Sequence, residues 1–127
     1  MLTRDDILRL LSDPRLDRSR CWVTAGAAMV LHGLRQSTQD IDMGCESSLA
    51  DELETGGCTA VQSPEGWRRF RLTEDIDLSE NFARGTVEWI SGVPTVSLAD
   101  ILRLKRQLNR PKDQHDIALL ESALKGV

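Results

Sequence analysis

A chain of 127 residues, 40% hydrophobic and 28% charged, fits one folded domain over residues 1–127 and cannot build two. Its net charge of −4 provides no bulk field for a long polyanion, and no apolar run approaches the length of a membrane span. Three cysteines, none in a C-x-x-C, and a start bearing Asp5 and Asp6 rather than a basic-then-apolar leader predict reduced thiols in a cytoplasmic protein.

Thr3 and Asp6 read as the cap of a first helix whose stripe is Ile7, Leu8, Leu10 and Leu11, ending near Ser12. A polar connector over 13–20 leads to an apolar run, Cys21 to Thr24, that suits a buried strand. Small residues at Ala25 to Ala28 make a turn, and the run Met29 to Leu31 is closed by His32 and Gly33. After a loop over 34–39, Asp40-Ile41-Asp42-Met43 alternates like a strand. Ser47 or Ser48 caps a helix to Glu54, stopped by Gly56-Gly57. Cys58 to Gln62 reads as a strand, Ser63 to Gly66 as a turn, and Trp67 to Leu72 as an alternating segment. Glu74 to Leu78 is a second acidic strand. Thr86 to Ile90 and Val93 to Val96 flank Ser91-Gly92. Ser97 and Asp100 cap a helix carrying Ile101, Leu102, Leu104 and Leu108. Asn109-Arg110-Pro111 interrupts it before a last helix with Ile117, Leu119, Leu120 and Leu124.

The chemistry concentrates in the acidic alternation. On one strand Asp40 and Asp42 share a face, with alpha carbons about 6.6 Å apart. Such carboxylates can bracket divalent ions about 3.5–4 Å apart, as phosphoryl transfer uses them. An exposed strand with a wet acidic face is the other reading of the same string. Basic residues cluster at Arg68, Arg69 and Arg71 and again from Arg103 to Lys112. These suit a compact anion such as a nucleoside triphosphate, or else are solvated faces over the core. His32 lacks a partner at ligand spacing and reads as structural; His115 reads as solvent-facing.

Gly26-Ala27, a spacer of twelve residues and then Asp40-Ile41-Asp42-Met43 resemble the h-G-[GS]…D-h-[DE]-h signature of the nucleotidyltransferase superfamily that includes DNA polymerase beta and kanamycin nucleotidyltransferase. The string A-x-x-L-H-G-x-x-R-x-S-T-x-D-I-D from Ala28 to Asp42 is similar to the small bacterial branch of AbiEii-type toxins and minimal nucleotidyltransferases. The ending, with Lys105 and then N-R-P-K-D-x-x-D from Asn109, resembles that branch too. The resemblance implies an α+β fold: a small mixed sheet carrying the acids, with helices packed on one side. It implies transfer of a nucleoside monophosphate from an NTP to a hydroxyl acceptor, with Mg²⁺ (or Mn²⁺) on Asp40, Asp42 and a third acid. Asp77 matches that third position, with Asp75 and Glu88 as competitors. It further implies nucleotide contacts from Gly26, Ala27, Arg35, Thr38 and Lys105. The acceptor would be a small molecule, a protein or a tRNA, and a helical partner protein accompanies many minimal members. Ala27 stands where the family has Gly or Ser, and Ala25 where the branch often has Gly. A catalytically degenerate member that binds nucleotide, RNA or a partner protein is therefore the alternative, and a structural module with fortuitous D-x-D strings the third.

Overall fold

A computed structural model describes residues 1–126. Strand β1 (Leu2–Thr3) runs into helix α1 (Arg4–Leu10), started by a reciprocal capping box. The Thr3 hydroxyl accepts from the Asp6 amide while the Asp6 carboxylate accepts from the Thr3 amide. Next come β2 (Cys21–Thr24), α2 (Ala25–Leu31), β3 (Ser37–Thr38), β4 (Ile41–Cys45), α3 (Ser47–Thr55), β5 (Ala60–Gln62), β6 (Arg68–Arg71) and β7 (Ile76–Glu80). The hairpin β8 (Val87–Ile90) and β9 (Val93–Val96), then α4 (Leu98–Leu108), a 3-10 turn (Pro111–Asp113) and α5 (Gln114–Leu124), complete the order. The turn at Ser91-Gly92 holds φ at 51° and 75°, the paired left-handed geometry that lets a two-residue loop follow strand twist.

The fold is α+β, as expected, with a mixed seven-stranded sheet in the order β5-β6-β7-β4-β2-β9-β8. Strand β4 is central: antiparallel to β2 and parallel to β7. A second, two-stranded sheet joins β1 to β3 and ties the loop before β4 to the chain start. Pairs of two residues are too short to leave an alternation in the sequence, so this sheet was not foreseen. Asp40 lies just outside β4, and Asp75 just before β7, so each acidic strand is shorter at its front than its alternation suggests.

The alternation is nevertheless real. Ile41, Met43 and Leu78 are 0–2% exposed and pack with Phe70, Ile7, Met29 and Leu31 in one apolar cluster. Burying each such side chain stabilises by about 1.5–3 kcal/mol. The side chains at 42 and 77 therefore turn to the opposite face. On that face Trp22 lies across Gly44, its indole nitrogen donating to the Phe82 carbonyl at 2.8 Å, with the Arg84 guanidinium 5.1 Å above the ring. A methyl group at position 44 would overlap both the indole and that carbonyl. Gly44→Ala should cost about 2 kcal/mol in chemical denaturation; an unchanged midpoint would mean that Trp22 yields freely.

All three cysteines are free, and burial pushes Cys21 up to about 12 and Cys45 up to about 11, well away from reactive thiolates. No helix is long and apolar enough to cross a membrane among the described residues.

Candidate active site

Sheet register builds the acidic site. Strands β4 and β7 run parallel with Asp42 beside Asp77, so both carboxylates leave the same face on neighbouring strands. Asp40, exposed at the entry to β4, turns its carboxylate to them. One oxygen from each of the three lies within 4.8 Å of the others. Asp75 and Glu88 do not join them in that cluster. Asp75 uses its carbonyl instead, accepting from the Ile41 amide at 2.8 Å and pinning the start of β4. Glu88 sits on β8 at the far edge, three strands from β4.

Three carboxylates in one place repel. Burial, and then the charges of Asp40 and Asp77, push the Asp42 carboxyl above the ordinary carboxylate value. Hard oxygen donors within this mutual distance could hold a metal ion, and the nearby charges of Arg69 and Lys105 offset only part of what raises Asp42. Arg69 is the nearest help, 3.5 Å from Asp77, with Arg71 at 3.9 Å.

The acids open into a cleft of about 990 Å³. Gly26, Arg35 and Thr38 line one wall in close contact: a Cβ on Gly26 would stand 2.6 Å from the Thr38 hydroxyl and 3.0 Å from the Arg35 guanidinium. Only glycine lets the three meet. Ala25 also lines the cleft and holds φ at 54°, a left-handed conformation that burdens any residue with a Cβ. Ala25→Gly should raise stability by about 0.5–1 kcal/mol, the strain relief exceeding glycine's entropy cost. A lower denaturation midpoint would refute that strain. Ala27, by contrast, is 1% exposed inside the apolar cluster and is not among the cleft-lining residues.

Helix α4 brings Lys105 to the cleft, its ammonium 3.4 Å from Asp113 and 3.3 Å from Asp116. Arg35 reaches Asp116 from the other side at 3.5 Å. Arg110 holds Asp113 through two side-chain hydrogen bonds, chiefly responsible for a carboxyl down at about 2. Cations from two distant segments are thus set by the acids of one K-D-x-x-D string. The sequence leaves Arg35 either a phosphate or acceptor contact or the partner of a carboxylate, and the fold shows that the carboxylate is Asp116.

The sequence places Thr24 at the end of a strand and gives it no part in the site. It pairs with Asp42 across β2 and β4, lines the cleft and is 1% exposed, yet its hydroxyl is the buried side-chain atom left without a partner among the described residues. Its only signal was a hydroxyl ending an apolar strand. The basic cluster at 68–71 divides by strand alternation. Arg68 is consumed by Glu80, Asp51 and Glu54, whereas Arg69 and Arg71 turn to the acid face. His32 is structural as expected, its ring nitrogen 2.9 Å from the Val96 carbonyl, and His115 is exposed.

No protein-family model matches the chain, and no curated protein matches it. Among solved structures it is similar to the lincosamide antibiotic adenylyltransferase LnuA, crystallised with lincomycin. The two superpose with a TM-score of 0.56 over 91% of this chain and 92% of that one, at 16% identity. At that identity the likeness speaks for architecture, and the architecture it shows is the nucleotidyltransferase fold.

Proposed function

We propose that this chain, as a single nucleotidyltransferase-like domain, transfers a nucleoside monophosphate from an NTP to a hydroxyl acceptor. The observation that supports it is the convergence of Asp40, Asp42 and Asp77 at the foot of a cleft whose other wall is cationic. The three acids would hold Mg²⁺ (or Mn²⁺), which supplies neutralisation of charge on the transferring phosphoryl group. The chain's own residues do the positioning. Arg35 and Lys105 attract the triphosphate, Gly26 allows its close approach to the backbone, and Thr24 and Thr38 offer hydroxyls to its oxygens. The acceptor oxygen bonds to the α-phosphorus while the bond to the bridging oxygen breaks. Pyrophosphate leaves, and the acceptor's proton passes to a carboxylate, for which Asp77 stands best.

A small-molecule acceptor is favoured by the fold shared with an enzyme whose name gives an antibiotic substrate. A role in resistance would follow. The AbiEii-like strings over 28–42 and 109–120 support instead a toxin-like role with a protein or tRNA acceptor and a helical partner protein, within the cytoplasm. Incubation of each α-labelled NTP with Mg²⁺ and cell extract, followed by capture of the labelled product, separates them by product size. Transfer should vanish in Asp40→Asn. If wild type and variant are equally inert while nucleotide still raises the melting temperature, the degenerate reading replaces this one, and Ala27, buried and without a hydroxyl, is the residue that favours it.

A further inference from the structure

Among the described residues most cations around the cleft have a settled partner; Lys112 also lines it without an ion pair, but Arg69 is the cleft-lining cation that pairs with the acid cluster. Lys105 sits between two carboxylates, Arg110 is bonded to Asp113, and Arg68 is bonded to three acids. Arg71 donates to the Glu74 carbonyl at 2.7 Å. Arg69 lines the cleft from β6 with its side chain 61% exposed, makes no side-chain hydrogen bond among the described residues, and approaches only Asp77, at 3.5 Å. Alternation puts it on the acid face, since its neighbour in register is Ser79, two residues along β7 from Asp77.

We propose that Arg69 is a catalytic cation shared between two clients: a counter-ion that rests on Asp77 while the acid cluster is bare, and a guanidinium that engages the donor's phosphates once they enter the cleft. This rests on the transferase reading above. A guanidinium held by one long, solvated contact exchanges partners at small cost, and a phosphate offers it paired oxygens that a shared carboxylate does not. The same placement makes Arg69 an obstacle to any divalent cation that Asp77 helps to hold, because like charges compete for one carboxylate. Two opposite effects follow from one side chain. Removing it should tighten cation binding and loosen nucleotide binding.

The test compares wild type, Arg69→Gln and Arg69→Lys by calorimetric titration, first with Mn²⁺ alone and then with a non-hydrolysable ATP analogue at saturating Mn²⁺. Arg69→Gln should bind Mn²⁺ at least about threefold more tightly and the analogue about tenfold more weakly, with Arg69→Lys between the two. Equal Mn²⁺ affinity in all three proteins, or weaker binding in Arg69→Gln, overturns the counter-ion role. Unchanged affinity for the analogue overturns the phosphate role. A residue that merely props up the sheet would weaken both ligands together and lower the melting temperature, and that outcome also overturns the proposal. Wild type that transfers label normally alongside an Arg69→Gln protein indistinguishable from it sinks this inference and leaves the transferase standing. Wild type that binds neither ligand sinks both.

Discussion

Asp42→Asn should reduce nucleotidyl transfer by about 10³-fold while raising the melting temperature at neutral pH. The two effects share a cause. The Asp42 carboxyl is pushed up by burial first and by the charges of Asp40 and Asp77 second. Between its unfolded value and the raised folded value, the native chain keeps a proton that the unfolded chain has lost. Stability falls as pH rises through that window, and the deficit persists above it. Asparagine removes the charge and so the deficit. The wild-type and variant melting curves should therefore coincide at pH below the ordinary carboxylate value and separate toward neutrality, the variant melting higher. A divalent cation offsets the same repulsion, so Mg²⁺ should raise the wild-type midpoint more than the variant's. A variant that melts lower at neutral pH, or gains as much from Mg²⁺, would mean that Asp42 is compensated by something other than a cation.

Lys105→Ala should both destabilise the fold and cripple the reaction. Its side chain is 11% exposed and its ammonium serves Asp113, 2% exposed, and Asp116, 13% exposed. Stripping a partner from a buried acid can cost about 3–5 kcal/mol. Here Asp113 keeps Arg110 and Asp116 keeps Arg35, so the expected loss is about 1–3 kcal/mol in denaturant titration. Donor KM should rise and kcat/KM fall about 10²-fold, because the ammonium lines the cleft proposed to take the triphosphate. Loss of stability with unchanged donor kinetics would reduce Lys105 to a brace for the start of α5.

How much of this could be read from the chain alone depended on range. The acidic strand was legible at 40–43, two residues short of its end at Cys45, because one face must be apolar and Ile41 and Met43 mark it. The capping box at Thr3 and the side-chain cap at Ser97 were legible because their bonds close within three positions. The choice of Asp77 over Asp75 and Glu88 was suggested by family likeness, but what brings Asp77 beside Asp42 is a parallel pairing between strands 35 residues apart. Local sequence does not encode such register. The same holds for Thr24, whose hydroxyl matters only because β2 lies against β4, and for the division of labour between Arg68 and Arg69. Adjacent arginines look alike until the sheet turns one to Glu80 and the other to Asp77. Ala27 failed to reach the cleft for a related reason: the chain turns at Ala25, and a helix of seven residues carries position 27 into the core.

The central claim is that three carboxylates, two on neighbouring strands and one just before β4, act as one cation site. Mn²⁺ titrated into nucleotide-free protein, with binding followed by the paramagnetic resonance of the free ion, measures that site without any acceptor. Saturable binding by wild type, weakened in Asp40→Asn, Asp42→Asn and Asp77→Asn alike and untouched in Glu88→Gln, is the expected result. Binding that survives all three aspartate substitutions, or that never saturates in wild type, would contradict it.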